Sequence, residues 1–299
     1  MIALLLFAGA SELLAQNNNR PGGTRRNTRV NGRRVSVKPR SVLDTLNCDA
    51  NALYRSIDGT CNNVSRGNRM DFGSTDIELI RCLPAEYSTA NPFAGLGGEN
   101  RRSARDISNI VVDQPSIIFS AQNLSAIVYN WGQFLDHDLD LTPENEEEEE
   151  DIEIPDNEPL FTMDIPFFRS ENYNLPNDGL PREQLNVLTA WVDGSNVYGS
   201  EDERADWLRT FVDGKLKTSA GDLLPFNTTD GEYTSPVDTT APATAGADDE
   251  GKMWIAGDVR VGEQVGLTIM HTIFVREHNR ICDELIVDGL TDDEEIYQE

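Results

Sequence analysis

Polar residues interrupt an apolar stretch between Trp131 and Asp140. If this stretch is helical, Gln133 and His137 lie four residues apart on one face, with Asp136 beside them. Burying three polar groups without partners costs free energy. The face therefore needs a metal, a cofactor or a network of core hydrogen bonds, and the spacing alone leaves all three open.

A second charged pair lies in the segment from Asp258 to Glu263. Arg260 and Glu263 are three residues apart, so they share a face of a helix. A local ion pair of this kind is common and contributes little at a protein surface. The spacing leaves open whether the pair is structural or belongs to a site.

A third polar segment runs from Thr189 to Ser195 and includes Asp193. The side chains of these three residues, with the backbone carbonyl of Trp191, offer oxygen ligands around one loop. Such ligands suit Ca²⁺ far better than zinc. Hydroxyl and carboxylate side chains in loops more often cap turns, so a capping role stays open as well.

Helices are expected to position these residues. From Gln114, apolar side chains recur with helical spacing, which predicts a deeply buried helix that ends at Thr142 and Pro143. Its apolar positions are Ile117, Ile118, Phe119, Leu124, Ile127, Val128, Trp131, Leu135 and Leu139. From Gly262 the same pattern predicts a long helix. Its apolar positions are Leu267, Ile269, Met270, Phe274, Val275, Ile281 and Leu285.

Two shorter helices are predicted between them. One covers Leu180 to Val192 and opens at Pro181, and the other covers Glu201 to Thr210. The run from Glu144 to Glu158 holds ten acids and no base, which predicts a solvated loop, and a low-complexity loop is expected from Thr234 to Gly251. Alternating strand patterns are scarce, so the fold class is mainly α.

Charge and composition limit the classes of partner that the protein can have. The chain has 299 residues with 52 acids and 25 bases, and this balance argues against a nucleic-acid partner. Residues 1–15 resemble a signal peptide, residues 16–41 a disordered basic arm, and residues 42–299 one domain. No stretch is long and apolar enough to span a bilayer. These features predict a secreted protein.

The cysteines and sequons agree with an oxidising compartment. Cys48 and Cys61 bracket a short polar segment that suits a disulfide, and no zinc-binding spacing occurs. Among three sequons, Asn63 and Asn227 lie among turn residues and are expected to accept glycan. Asn123 lies on the helix expected to be buried, so we do not expect it to accept a glycan.

Several long segments resemble the myeloperoxidase-like haem peroxidases, in the same order along the chain. They are WGQFLDHDLDLTPE, PREQLNVLTAWVDGSNVYGS and AGDVRVGEQVGLTIMHTIFVREHNRI, preceded by YRSIDGTCNN and SARDISNIV. The resemblance runs from about Thr45 to Asp288. Motifs of this length, in order, are far more specific than one short pattern. They imply a mainly α, haem peroxidase-like helical domain that is incomplete and holds the distal half of the site.

The resemblance implies a role for each polar residue. His137 is expected to be the distal base that takes a proton from H2O2, with Arg260 stabilising charge on the breaking O–O bond and Gln133 positioning peroxide or halide. A neutral, unperturbed histidine suits that role. Asp136 and Glu263 match the carboxylates that form ester bonds to haem b in mammalian members, and whether both bonds form here is open.

Two further expectations come from the same resemblance. Gln264 stands where the myeloperoxidase type has a methionine linked to haem, so that third link cannot form and chloride oxidation should be weaker. The family's Ca²⁺ site is matched by five residues, which are Asp138, Thr189, Trp191 through its carbonyl, Asp193 and Ser195.

The iron's proximal histidine is the main departure. The family places it well downstream of Arg260, whereas the three histidines here are His137, His271 and His278. The last two match positions that pack within a helix. The chain is therefore expected to be an N-terminal fragment that neither holds haem firmly nor turns over by itself.

The resemblance predicts a secreted peroxidase that reduces H2O2, oxidises phenols, halides or thiocyanate, and serves in oxidative-stress responses. One alternative is the fatty-acid dioxygenase branch, which shares the stretch from Arg276 to Leu285. Another is a peroxinectin-like adhesion protein. No Arg-Gly-Asp tripeptide occurs, and Arg66-Gly-Asn68 is a near miss. The basic arm would then bind anionic matrix.

Overall fold

The computed structural model describes residues 28–30, 33–35, 48–49, 52–63, 71–97, 101–174, 179–245 and 247–299. The predicted signal peptide, the near-miss tripeptide and most of the basic arm lie outside these ranges. Within the arm, β1 (Thr28–Val30) and β2 (Arg33–Val35) pair as antiparallel strands, which differs from the expected disorder.

The remaining described elements are mostly short. In chain order they are β3 (Ile77–Glu78), α1 (Ala104–Val112), α2 (Ile127–Asp136), β4 (Glu144–Glu149), β5 (Phe168–Ser170), β6 (Leu185–Asn186), α3 (Ser195–Tyr198), α4 (Asp202–Leu208), α5 (Val265–Val287) and α6 (Asp293–Gln298). The described strands are too short to build a large sheet, so the mainly α class is confirmed.

The chain divides into two compact units. The first comprises Met1–Thr75, Ser125–Leu141 and Leu188–Glu299, and the second comprises Asp76–Leu124 and Thr142–Val187. All the residues proposed above for catalysis, haem binding or Ca²⁺ binding belong to the first unit.

The core of the first unit forms where α2 packs against α5. The Phe134 ring of α2 stacks on Phe274 of α5, with 4.7 Å between ring centroids. The buried cluster around them contains Val197, Trp207, Leu208, Leu216, Leu224, Ile255, Ala256, Val261, Leu267, Met270 and Val275. This apolar packing fixes the two helices that carry the site.

Helix α5 has clear end signals in the sequence. At its start, the Gln264 side chain accepts a hydrogen bond from the backbone N–H of Gly266. At its end, Gly289 has φ +105° and donates its N–H to the carbonyl of Ile286. A glycine in this conformation ends helices at little steric cost. The prediction of a long helix here is confirmed.

The second unit is held by strand pairs and ion pairs. β3 pairs with β6, and β4 pairs with β5, both antiparallel. The buried Arg182 guanidinium contacts the Glu148 carboxylate and the Ser170 carbonyl. The prediction of a loop from Glu144 to Glu158 is wrong for its first six residues, because pairing with β5 and with Arg182 extends them.

Two helix predictions need correction. The segment from Leu180 to Val192 is not helical, because Leu185–Asn186 pairs with β3 instead. The helix predicted from Gln114 begins only at Ile127. Asn123 adopts φ +53° in a turn, a conformation that cannot continue an α-helix, and much of the preceding apolar stretch is exposed. By contrast, the short helix predicted from Glu201 is confirmed as Asp202–Leu208.

The disulfide prediction is confirmed, whereas the glycan predictions are not. Cys48 and Cys61 are bonded. Asn63 and Asn227 are buried, and the Asn227 amide donates to the Gly251 carbonyl, so neither is open to a glycan. Asn123 is exposed rather than buried in a helix. Within the described ranges, no helix has the length and apolar character needed to cross a membrane.

Candidate active site

His137 lies at the C-terminal end of α2 and is completely buried, with 0% of its surface exposed. Its backbone N–H donates to the Gln133 carbonyl at 3.0 Å, so the last turn of the helix sets where the imidazole points. Among the described residues, neither ring nitrogen has a hydrogen-bond partner. A buried, unpaired imidazole is rare in protein cores, and it marks a candidate site.

Arg260 is held by Asp258 in the turn that precedes α5. The guanidinium Nε lies 2.9 Å from Oδ1, and Nη2 lies 2.9 Å from Oδ2. Nη2 also donates to the Asp140 carbonyl at 2.9 Å. Burial alone would raise the pKa of Asp258, but the charge and hydrogen bonds of Arg260 bring that pKa below its ordinary value.

His137 and Arg260 both lie close to the carboxylate of Asp258. His137 Nδ1 lies 3.7 Å from Asp258 Oδ1, and Nε2 lies 3.8 Å from Glu263 Oε2. Burial, followed by the Arg260 charge, lowers the pKa of His137 to about 3, although Asp258 acts in the opposite direction. The expectation of an unperturbed histidine is therefore wrong, while the imidazole is neutral near pH 7.

Amide side chains connect α2 to the start of α5. Gln133 donates Nε2 to Glu263 Oε2 at 3.0 Å, and Gln264 donates to Gln133 Oε1 at 3.1 Å and to Asn130 Oδ1 at 2.9 Å. Burial raises the pKa of Glu263, with Arg260 opposing it. Asp136 is partly buried and lies close enough to affect the pKa of Glu263. Gln133, Asp136 and Glu263 thus lie in one region with His137.

The candidate cation loop contacts the residue that follows His137. Asp138 Oδ1 accepts from Ser195 Oγ at 2.9 Å, and Oδ2 accepts from the Gly194 N–H at 3.1 Å. Asp193 Oδ1 accepts from Thr189 Oγ1 and from the Ser195 N–H, both at 3.1 Å. Four of the five residues expected to bind Ca²⁺ are therefore joined by short contacts.

Two other residues shape this loop. The Trp191 ring packs so close to Gly73 that a Cβ at residue 73 would lie 2.4 Å from its Nε1. Arg55 Nη1 lies 3.2 Å from Asp193 Oδ2 and pairs with that carboxylate. In the part of the chain that is described, no three His, Cys, Asp or Glu side chains form a metal-binding group. The loop itself offers two carboxylates, with hydroxyl and carbonyl oxygens.

The other two histidines lie on α5. His271 is fully buried with its ring edge against Phe134, and burial lowers its pKa to about 4. His278 uses both nitrogens, because Nε2 lies 2.9 Å from the Gly214 carbonyl and Nδ1 lies 3.1 Å from the Tyr198 hydroxyl. His278 is thereby tied into the core.

Sequence reasoning assigned no role to Asp258, Asn130 or Arg55. The role of Asp258 could have been predicted, since it stands two residues before Arg260 and a buried arginine needs a carboxylate partner. Asn130 and Arg55 gave no such signal. Their contacts join segments far apart in the chain, and spacing does not reveal them.

Comparisons with known proteins agree with this geometry. The sequence model of the animal haem peroxidase family matches residues 54–299. Mouse (Mus musculus) myeloperoxidase is 32% identical over 290 residues, covering 84% of this chain and 39% of the relative. Lactoperoxidase from Mesocricetus auratus is 33% identical, covering 85% of this chain and 40% of the relative. The chain thus spans about two fifths of the length of these relatives.

Solved structures show the same fold. Peroxidase A from Dictyostelium discoideum superposes with a TM-score of 0.65 at 27% identity, over 83% of this chain and 49% of that one. A fatty acid alpha-dioxygenase from Arabidopsis thaliana gives a TM-score of 0.58 at 22% identity, covering 82% of this chain and 34% of its own. The second likeness shows the fold alone. By its sequence and its fold, this chain belongs to the animal haem peroxidase family.

Proposed function

We propose that these 299 residues supply the distal side of a haem-dependent peroxidase, which reduces H2O2 and oxidises phenolic or small-anion donors such as halides and thiocyanate. The observation that carries the proposal is the meeting of His137 and Arg260 at one buried carboxylate, Asp258. A neutral base and a permanent cation side by side suit cleavage of an O–O bond, which needs a proton moved and charge stabilised.

The side chains present fit a haem group. His137 has two buried nitrogens that lack partners among the described residues, and two carboxylates, Asp136 and Glu263, lie in the same region only partly buried. These carboxylates would hold haem b, by ester bonds or without them. When bound, haem would supply the iron at which peroxide is reduced, with phenols then oxidised one electron at a time and halides or thiocyanate by two electrons.

The proton steps belong to the chain's own residues. His137 Nε2 accepts a proton from H2O2 and returns it to the departing oxygen, which leaves as water. Burial lowers its pKa to about 3, so the imidazole is neutral near pH 7 and one ring nitrogen carries a free lone pair. Arg260 stabilises negative charge on the departing oxygen. Gln133, with an amide hydrogen-bonded to Glu263 and Gln264, orients peroxide, water or halide.

Access to His137 requires a movement. The imidazole has no exposed surface, so peroxide reaches Nε2 only after a neighbouring side chain shifts. Glu263 is the candidate, because its carboxylate lies 3.8 Å from Nε2 and is partly exposed. Engagement of that carboxylate by haem would uncover the base.

None of the three histidines is proposed as the proximal iron ligand. His137 pairs with Arg260 on the distal side, and His278 has both nitrogens engaged. His271 packs against Phe134 inside the same helix pair. The proximal ligand is therefore supplied from outside these 299 residues.

A Ca²⁺ ion is proposed at the loop that contacts Asp138. Its ligands are Asp138, Thr189, Asp193, Ser195 and the carbonyl of Trp191. The contacts between Asp138 and Ser195 and between Asp193 and Thr189 support this set. A cation must share Asp193 with Arg55 or displace it. Because Asp138 follows His137 directly, the ion would clamp the base in place.

Secretion is proposed on the Cys48–Cys61 disulfide, since such bonds persist in oxidising compartments. The dioxygenase alternative rests on the shared stretch from Arg276 to Leu285 and on fold likeness, and it gains no support from the site. The adhesion alternative depends on the basic arm, most of which lies outside the described residues.

The proposal is tested by expressing the chain with its flanking sequence and adding haem. A Soret band and H2O2-dependent oxidation of guaiacol are expected, together with bromide, iodide or thiocyanate oxidation. Haem uptake without any peroxide-dependent oxidation of these donors would refute a peroxidase.

A further inference from the structure

Asp258 is the most completely enclosed carboxylate at the site, with 1% of its surface exposed. Its backbone N–H donates to the Asn196 carbonyl at 3.1 Å, which anchors it beside α3. Oδ1 accepts from both the backbone N–H of Arg260 at 2.8 Å and its Nε at 2.9 Å. Oδ2 accepts from Nη2 at 2.9 Å. This two-point contact fixes both the position and the plane of the guanidinium.

The same carboxylate faces one nitrogen of His137. Oδ1 lies 3.7 Å from Nδ1, too far for a hydrogen bond but close for an electrostatic contact in a buried site. A neutral imidazole carries one proton, either on Nδ1 or on Nε2. A negative charge beside Nδ1 favours the form with the proton there. That form leaves the lone pair on Nε2.

Glu263 favours the other form, with the proton on Nε2, since its Oε2 lies 3.8 Å from that nitrogen. Three differences weaken its influence. Its side chain is 20% exposed, so solvent screens its charge. It already accepts a hydrogen bond from Gln133, and burial raises its pKa. Asp258 is enclosed and is kept ionised by Arg260, so its field on the ring is stronger.

We propose that Asp258 is a positioning residue, which orients Arg260 and holds His137 with its proton on Nδ1, so that Nε2 is the atom that accepts the proton of peroxide. This inference rests on the proposed peroxidase function. A single buried carboxylate thereby aligns the base and the cation, which come from segments more than a hundred residues apart in sequence.

The first test needs no substitution. The full-length protein is loaded with haem, reduced and bound to carbon monoxide, which makes it diamagnetic, and ¹⁵N NMR then locates the proton on His137. Comparison with H137Q assigns the resonance. A protonated Nδ1 and a bare Nε2 are expected. A proton on Nε2 would overturn the inference.

The second test compares D258N, D258E and E158Q in the haem-loaded protein. D258N keeps the shape and removes the charge, and the rate constant for reaction with H2O2 should fall about 100-fold, within the range for acid–base catalysis. D258E should recover part of the loss. E158Q breaks a similarly tight two-point pair, between Glu158 and Arg105, and should leave the rate unchanged.

Combining D258N with H137Q distinguishes a positioning role of Asp258 from a merely structural one. Because Asp258 acts partly through His137 and partly through Arg260, D258N should slow the H137Q protein less than it slows the wild type. An equal slowing in both backgrounds, or a D258N protein as fast as wild type, would contradict the inference. A wild-type protein that binds haem but does not react with H2O2 would instead defeat the proposed function.

Discussion

Gly266 at the start of α5 touches Asn130 on α2 so closely that a Cβ at residue 266 would lie 2.3 Å from Asn130 Oδ1. A side chain at residue 266 would fit only if the buried Asn130 amide shifted or the two helices separated. The contact lies about two turns from His137, and it lets Gln264 reach both Asn130 and Gln133. The close approach of α2 and α5 is therefore a condition for assembling the site.

Gly266→Ala should destabilise the protein by about 1–3 kcal/mol, because the added methyl group must displace the buried Asn130 amide that accepts from Gln264. Gly132→Ala is the matched control. Gly132 lies on α2, where a Cβ would meet nothing within 4 Å, so alanine should stabilise the helix by about 0.5–1 kcal/mol. Urea denaturation of the haem-free protein measures both. Equal effects of the two substitutions would show that the close contact is absent.

Asp138→Asn should lower the bound calcium. The amide keeps the size of the side chain but removes a negative charge from the proposed ligand set. Asp230→Asn is a suitable control, because Asp230 also accepts from a backbone N–H and a serine hydroxyl but lies in an exposed loop elsewhere. Metal content measured by mass spectrometry decides the matter. Calcium stoichiometry that stays at the wild-type value in D138N would exclude this site.

Acidification should destabilise the fold through His271. Burial lowers the pKa of His271 from 6.5 to about 4, so between these pH values the unfolded chain binds a proton that the folded chain does not. Its contribution to stability is present above pH 6.5 and declines as the pH falls towards 4. The loss amounts to roughly 3 kcal/mol at most.

His271→Gln removes this proton uptake. The difference in Tm between pH 7 and pH 4 should therefore be smaller in H271Q than in the wild type, as measured by differential scanning calorimetry. An unchanged difference would mean that His271 is solvated in the folded protein.

The sequence predicted the elements whose stability is local. α5 has regular apolar spacing, a side-chain cap at Gln264 and a glycine stop at Gly289, so its prediction was sound. The segment around Leu185 failed for the opposite reason. It forms a strand because Ile77–Glu78, more than a hundred residues earlier, offers it a partner. The local spacing of apolar residues does not predict pairing between segments so far apart in the chain.

The site was foreseen in part. The i and i+4 spacing placed Gln133 and His137 together correctly, and the structure brings Arg260 and Glu263 to them. The perturbed pKa of His137 could not be foreseen, because it depends on complete burial and on a charge from Arg260. Both follow from the packing of α2 on α5. The role of Asp258 became visible only through its distances to two other side chains.

The central claim is that His137 is the base that activates peroxide. The most direct measurement is the stopped-flow rate constant for H2O2 with haem-loaded H137Q and H278Q proteins. Glutamine at residue 278 can still donate to the Gly214 carbonyl, so H278Q should react like the wild type. H137Q should bind haem yet react about 100- to 10,000-fold more slowly. A haem-loaded H137Q protein that reacts at the wild-type rate would contradict the account.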